Sequence, residues 1–487
     1  MESFGVDFGT TNSAAVGWSN RSVERYFGCR GIKRPLPSVV AIHKLTGEIH
    51  SIGLEARDHR ENLGAQYEVI SSVKALLSNP DKSWTIGPKV WKPEDVAAAI
   101  IKELRKNIAG SLGPGEQLMN SAVFSIPVGC SMAQRQALRR AARLADIQVI
   151  SFISEPTAAL CRHFNEVRRW PKVAVFDWGG GTLDISIVEI NGDVVSEVAT
   201  FGKHLGGDNL DYTLAEYLHG QIMLTRGSET PFSAVKADYR DLLIQRAELA
   251  KISLGQDHTF TVQLTDYCGS PAKVPLTLNT MLGLFKPFMT EALQALKHTV
   301  ENQAHCSPEE IGCLLMVGGT SKLRGLSEFF RSEYWLGLIT HPHDADWSIA
   351  QGAAINASKP GTYIAGQDFG LAVSDGSYYP LIHDGQPISI NDGQEYHFGL
   401  VEDSREARIV FVQPKGRRGY DNGNPFETLG YLSLPAYGFS DEPIALKTWV
   451  DQDLVVNVSG HSTRREAQTR DWHYEKLRFR YKLPNGV

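Results

Sequence analysis

Val173-Ala174-Val175-Phe176-Asp177-Trp178-Gly179-Gly180-Gly181-Thr182-Leu183-Asp184-Ile185-Ser186-Ile187 decides the fold. An apolar strand delivers a carboxylate, a glycine turn and a threonine follow, and a second strand alternates apolar with polar residues. About 170 residues earlier the pattern stands as Gly5-Val6-Asp7-Phe8-Gly9-Thr10-Thr11-Asn12-Ser13, leading into Ala14-Ala15-Val16. Such an internal repeat predicts two related lobes facing across a cleft. Glycine lets a backbone approach a phosphate closely, exposed N–H groups form an anion-binding concavity, and threonine hydroxyls add donors. A carboxylate at the strand end reaches a metal through water, because Mg²⁺ dehydrates reluctantly. A third element, Leu314-Leu315-Met316-Val317-Gly318-Gly319-Thr320-Ser321, reads as strand, Gly-Gly and helix, with bare backbone against which a flat nucleoside ring can lie. Each motif alone is an ordinary turn. All three in this order point to one nucleotide held between two hairpins.

Outward from these motifs, residues 1 to about 360 mix short apolar strands with amphipathic helices, the texture of an α/β architecture. Gln134 to Ile147 carries Leu138, Ala141, Ala142 and Ala145 at helical spacing, and Phe285, Phe288, Met289, Ala292, Leu293, Leu296 and Val300 mark a stronger helix. Val173–Phe176 and Cys313–Val317 read as strands. Beyond about residue 366 period-two alternation takes over, broken by Gly, Asn, Asp and Pro. Leu477, Phe479, Tyr481 and Leu483 alternate with Arg478, Arg480 and Lys482; Leu454, Val456 and Val458 alternate likewise, as do Ala407, Ile409 and Phe411. Seven or eight such strands in about 120 residues, without a convincing helix, predict a β-sandwich. The expected domains are residues 1–360, a linker at 361–367 and a sandwich at 368–487.

The chain has 487 residues, 42% hydrophobic and 21% charged, which excludes a wholly disordered or fibrous protein. Net charge is −6, and neither the part before residue 366 nor the part after it is basic, so nothing suggests nucleic acid or an anionic membrane. No run of 18 apolar residues suggests a membrane span. Met1-Glu2-Ser3-Phe4 lacks the features of a secretory leader. The six scattered cysteines (Cys29, Cys130, Cys161, Cys268, Cys306, Cys313) form no C-x-x-C pair and read as reduced thiols of a cytoplasmic protein. Three further stretches read as structural. His341-Pro342-His343-Asp344-Ala345-Asp346 is a loop before a helix rather than a metal site, Lys415-Gly416-Arg417-Arg418-Gly419-Tyr420 is a solvated hairpin tip, and Trp472-His473-Tyr474 is strand packing.

The motifs together resemble the actin-like ATPase superfamily and, within it, the 70-kDa heat-shock chaperone (DnaK-like) family. Ile126-Pro127 with Gln134-Arg135-Gln136 resembles that family's V-P-A-x-F…QRQ segment. Ser154-Glu155-Pro156-Thr157-Ala158-Ala159 resembles N-E-P-T-A-A, and His204-Leu205-Gly206-Gly207-Asp208-Asn209-Leu210-Asp211 resembles H-L-G-G-E-D-F-D. The resemblance covers nearly the whole chain and implies a two-lobed α/β actin-like ATPase domain followed by an all-β peptide-binding sandwich. It implies that Asp7, Glu155 and Asp177 hold Mg²⁺ through its waters, with K⁺ alongside. It gives Gly9, Thr10, Thr11, Asn12, Gly179, Gly180, Gly181 and Thr182 to the phosphates of ATP or ADP, and Lys74 to the attacking water. Gly206, Gly207, Glu248, Lys251, Gly318, Gly319, Lys322 and Asp346 would surround the nucleoside, and Pro127 with Arg135 would relay nucleotide state.

The chain departs from the pattern in places. Ile252 stands where the family has an arginine stacking on adenine, Gly255 where it has a base-contacting serine, and Lys322 where it has another arginine. Thr362-Tyr363-Ile364-Ala365-Gly366-Gln367 replaces an acidic-leucine linker, and Ser151 aligns with the arginine that docks J-domain co-chaperones. No helical lid follows the sandwich, and Tyr378 or Tyr379 falls near the arch over a peptide. The resulting expectation is an ATP-hydrolysing chaperone that holds extended peptide or protein clients, with a J-domain-type co-chaperone and a nucleotide-exchange factor as candidate partners. An ATP-switched adaptor for one dedicated partner is the alternative. A sugar or metabolite kinase on the same fold would leave the terminal sandwich without a purpose.

Overall fold

The computed structural model describes residues 2–19, 24–63, 66–113, 117–335, 337–400, 404–415, 425–438, 442–464 and 468–484. Met1 and residues 416–420 of the basic hairpin tip therefore lie outside the described residues. The chain divides into two compact units, Met1–Gly192 with Glu197–Pro360, and Asp193–Ser196 with Gly361–Gly486.

The first unit is built twice from one plan. Strand Ser3–Phe8 pairs antiparallel with Asn12–Trp18 and, on its other side, parallel with Ser121–Ile126, which pairs parallel with Gln148–Ser154. In the second half Lys172–Trp178 pairs antiparallel with Leu183–Asn191 and parallel with Cys313–Val317, which pairs parallel with Leu338–Thr340. The repeat in the sequence is thus two sheets with the same wiring. Central parallel strands bury both faces, which is why Cys313–Val317 is unbroken apolar residues, all of them buried. Register places Asp7 opposite Ala14 and Asp177 opposite Asp184.

Local chemistry sets the helix ends. Helix Met132–Leu144 starts at Ser131, whose hydroxyl accepts from Gln134 N while Gln134 Oε1 accepts from Ser131 N. Its apolar face is the expected one, but it stops at Leu144, three residues earlier than the spacing suggested, because Asp146 turns left-handed at φ 58°. Helix Leu278–Lys297 begins under the Thr277 hydroxyl and buries Phe285, Met289, Ala292, Leu293 and Leu296. After Gly318-Gly319 the expected helix is a single 3₁₀ turn, Thr320–Lys322, and the α-helix starts later, at Leu326.

Helix Ser348–Ser358 is rich in small residues because it runs against backbone. A Cβ on Gly5 would lie 2.1 Å from Ala354 N, and one on Gly352 would lie 1.7 Å from the Ala158 carbonyl oxygen. The helix therefore touches strand Ser3–Phe8 and helix Glu155–Val167 with no side chain between.

The second unit is a β-sandwich. One sheet runs in the order Tyr378–Ile382, Phe369–Ala372, Glu406–Pro414, Phe426–Pro435, and the other in the order Gln394–Gly399, Pro443–Val450, Val456–Ser462, Arg470–Tyr474. Phe369, Phe411, Leu432 and Leu434 of the first meet Leu446, Val456 and Val458 of the second in the core. Trp472 and Tyr474 pack as strand residues, with Trp472 stacked on Phe411 at 4.1 Å. Leu454 does not join the alternation read from the sequence, since it turns at φ 59° before the strand begins. Thr362–Ala365, expected within the linker, is a strand paired antiparallel with Phe479–Lys482. No α-helix occurs after Ser358 among the described residues. Among the same residues, no helix is long and apolar enough to cross a membrane.

Gly5→Ala forces a methyl into backbone and is expected to cost about 2–3 kcal/mol in urea denaturation. Gly283→Ala, in helix Leu278–Lys297 with nothing near its Cβ position, is expected to stabilise by about 0.5–1 kcal/mol. Equal effects of the two would refute the packing account of helix Ser348–Ser358.

Candidate functional site

The two hairpin tips face one another. A Cβ on Gly180 would meet Thr11 Cγ2 at 2.6 Å, and one on Gly181 would press on Thr11 Oγ1. The second tip is braced from behind. Gly179 N donates to the Thr182 carbonyl (2.9 Å), Asp208 N to the Gly180 carbonyl (2.7 Å), and Thr320 Oγ1 to the Gly179 carbonyl (2.8 Å). Gly318 sits at φ 82°, where a Cβ would strike Asp177 Oδ1 and the Trp178 carbonyl. Only glycine tolerates that conformation at that distance.

Between the tips lies a cleft of about 750 Å³. Of the residues singled out from sequence, Asp7, Gly9, Thr10, Thr11, Asn12, Lys74, Glu155, Asp177, Gly179, Gly180 and Thr182 line it. So do Gly207, Glu248, Lys251, Gly318, Gly319, Lys322 and Asp346, and Pro127 beside them. Gly181 and Gly206 do not line the cleft. Gly181 packs on Thr11, and a Cβ on Gly206 would run into the Gly180 carbonyl, so both shape the wall from behind. Arg135 is also absent from the lining; it is buried and donates from Nη1 to the Cys130 carbonyl.

At the floor of the cleft charge is concentrated. Lys74, on the 3₁₀ turn Val73–Leu76, donates from Nζ to Glu155 Oε1 at 2.5 Å. Glu155 opens helix Glu155–Val167, whose N-cap is Ser154. Ser125 Oγ donates to Asp7 Oδ1 at 2.7 Å. Burial pushes Asp7 up to about 6, with the Glu155 charge adding to the rise and Lys74 and the Ser125 hydrogen bond opposing it. Burial and then the Asp184, Glu155 and Asp7 charges hold Asp177 well above the usual carboxylate range. Asp184, pushed up to about 6 by burial and then by Glu155, was legible in the motif but given no role; its register opposite Asp177 was the available signal. Burial works against charge on Lys74, yet Glu155 and Asp7 outweigh it and keep the ammonium protonated.

Further along the cleft several charged side chains are already paired. Lys251 Nζ meets Asp211 Oδ1 at 2.7 Å, and Lys322 Nζ meets Asp346 Oδ1 at 2.5 Å. Glu248 takes Arg34 at 2.5 Å and Arg57 at 2.9 Å. Burial disfavours its charge, but the two guanidiniums prevail and hold its carboxyl below the usual range. Sequence reading missed Arg34, Arg57 and Asp211 as partners, because no local pattern links residues so far apart. The His341–Asp346 stretch stays a loop in which His341 bonds Ser327, and among the described residues no cluster of three His, Cys, Asp or Glu side chains is set to grip a metal directly.

The donor set nevertheless fits a hard dication held through its water shell. Oxygen ligands crowd together, and their mutual repulsion is relieved by a positive charge placed among them. Gly179 and Gly180 at the second tip bring backbone to the cleft with no side chain in the way.

The chain matches the family model described as Hsp70 protein over residues 77–371. It is 31% identical to a protein of Thermotoga neapolitana named Chaperone protein DnaK, covering 93% of this chain and 77% of that one. A protein of the same name from Thermosipho africanus is 30% identical with the same coverage. The Chaperone protein HscA homolog of Pseudoalteromonas atlantica is 26% identical, covering 93% of this chain and 75% of that one.

An unfolded carboxyl titrates near 4, so raised values at Asp7 and Asp184 mean that the folded, ligand-free protein binds protons more tightly than the unfolded chain. Their contribution to stability therefore falls as pH rises from about 4 to about 6. Asp184→Asn is expected to raise the ligand-free unfolding temperature at pH 7.5 by about 2 °C or more, while weakening Mg²⁺–nucleotide binding at least about tenfold. Calorimetry showing a lower unfolding temperature at pH 7.5 would count against the repulsion argument.

Proposed function

Because this chain belongs to the Hsp70 family, we propose that its cleft hydrolyses ATP to ADP and phosphate, and that nucleotide state governs how its β-sandwich holds extended peptide segments. The observation that carries this reading is Lys74 held by Glu155 among part-buried carboxylates, in the same cleft as two facing glycine hairpins.

Phosphoryl transfer needs positioning and charge neutralisation more than covalent help. Asp7, Glu155 and Asp177 would hold Mg²⁺ through its waters, and that ion supplies charge neutralisation at the phosphates. The turns Gly9–Asn12 and Gly179–Thr182 offer N–H groups and hydroxyls to the phosphate oxygens. Lys74, kept protonated, orients the attacking water and meets the negative charge that develops during transfer. Glu248, Lys251, Lys322 and Asp346, with Gly207, Gly318 and Gly319, form the nucleoside end, and Gly206 backs its wall. K⁺ beside Mg²⁺ belongs to the proposal and is tested by exchanging it for Na⁺.

In the sandwich, Tyr379 is exposed, with Tyr396 and Phe398 edge-on to it at 6.0 and 5.3 Å. This aromatic surface suits apolar side chains of an extended peptide held by strand-like backbone bonds. A J-domain-type co-chaperone and a nucleotide-exchange factor complete the expected set of partners. Ser151 and exposed Ile150 on strand Gln148–Ser154 are where the first would be sought. The six unpaired cysteines support a cytoplasmic setting.

Single-turnover hydrolysis with Mg²⁺ and K⁺, with and without an apolar peptide, tests the reading. Peptide is expected to accelerate hydrolysis, and a rate blind to peptide would overturn the coupling. Lys74→Ala is expected to slow hydrolysis by about 100-fold or more while ADP affinity changes by less than about tenfold. Equal loss of both would make Lys74 a binding residue rather than one that acts on the reacting water.

A further inference from the structure

Glu155 enters the cleft from the first position of helix Glu155–Val167, so whatever fixes that helix start also fixes the carboxylate that meets Lys74 Nζ at 2.5 Å. The start is capped by Ser154, whose Oγ accepts from Thr157 N at 3.3 Å. A serine hydroxyl also carries one proton, which rotates until an acceptor claims it. Here the acceptor comes from another strand. Glu197, on strand Val194–Lys203, accepts the Ser154 hydroxyl proton at Oε1, and Thr157 Oγ1 donates to the same oxygen at 2.8 Å. All three residues belong to the first unit. One carboxylate oxygen therefore ties down the residue immediately before Glu155 and the residue two places after it.

A helix cap ordinarily works within its own segment, side chain to backbone. Glu197 adds a hold from a neighbouring strand. Turning the Ser154 proton towards Glu197 leaves the lone pairs of that hydroxyl to Thr157 N, so the two bonds support each other. Thr157 is 3% exposed, and without its acceptor a buried hydroxyl would be stranded. Glu197 does not itself line the cleft. What it does there, it does through the two hydroxyls.

We propose that Glu197 is a positioning residue for hydrolysis: by holding Ser154 and Thr157 it fixes the start of helix Glu155–Val167, and with it the contact between Glu155 and Lys74. The proposal rests on the reading of the cleft as an ATPase. A displaced helix start moves Glu155 off Lys74, and a misplacement of about 1 Å at a reacting centre costs about 100-fold in rate. The turns Gly9–Asn12 and Gly179–Thr182 are built on other strands and keep their places. Nucleotide affinity is thereby left nearly intact.

Glu197→Leu removes the acceptor at similar volume, and Glu197→Gln keeps an accepting oxygen. On the full chain with Mg²⁺ and saturating ATP, Glu197→Leu is expected to slow single-turnover hydrolysis by about tenfold or more, with ADP affinity changed by less than about threefold. Glu197→Gln is expected to stay close to the unaltered rate. In a Lys74→Ala background the leucine substitution is expected to make no further difference, because the contact it disturbs is already gone. The same loss in both backgrounds, or equal loss of rate and affinity, would overturn the proposal and leave the ATPase standing. An unaltered chain that hydrolyses no ATP would overturn both. Hydrogen exchange at Thr157 N in the ligand-free protein reads the helix start without turnover. It is expected to be faster by about tenfold or more in Glu197→Leu, and an unchanged exchange rate would overturn the proposal. If Glu197→Leu does not fold, Thr157→Val, which removes one of the two hydroxyls, is put through the same comparisons with the same directions expected.

Discussion

Like charges confined in low dielectric are the constraint on which the first unit turns. Asp7, Glu155, Asp177 and Asp184 share the floor of one cleft, and in a medium that screens poorly their repulsion is large. Lys74 offsets part of it by direct contact with Glu155. The remainder is a standing cost of the ligand-free state, one that a charge-neutral protein would not carry. The architecture holds the groups together regardless. Asp7 and Asp177 end central strands, Glu155 opens a helix under a serine cap, and Asp184 is fixed opposite Asp177 by sheet register. A site of this kind belongs on rigid elements, since loops would relax and let the carboxylates separate.

Pairing governs the rest of the cleft in the same manner. Glu248 engages two arginines from the other half of the unit, Lys251 engages Asp211, and Lys322 engages Asp346. These cations have found counter-charges within the protein, which leaves the upper cleft electrically quieter than its floor. Charge that a ligand must answer is thereby concentrated at one end.

What the sequence made legible follows from locality. The hairpin tips were readable because strand, carboxylate and glycine lie within a dozen residues and occur twice, and the family resemblance carried Lys74 and Glu155 to their places. The sandwich strands were readable from period-two alternation around Phe411 and Val456. Features set by distant partners were not. Arg34 and Arg57 join Glu248 from 214 and 191 residues away. Thr362–Ala365 looks like a connecting stretch until Phe479–Lys482 supplies the strand it pairs with. Helix ends were blurred where the apolar face outlasts the helix, as at Ala145 and Ile147, which stay buried on either side of Asp146, where the chain turns.

Helix Ser348–Ser358 meets both strand Ser3–Phe8 and helix Glu155–Val167 through glycines, backbone on backbone. Side chains at such a junction could change rotamer and soak up a small displacement; atoms of the main chain cannot. The helix is therefore a mechanical coupling without play. Any sliding of it is delivered undiminished to the strand that carries Asp7 and to the helix that begins with Glu155. Two carboxylates that lie 148 residues apart in the chain are geared to move as one part.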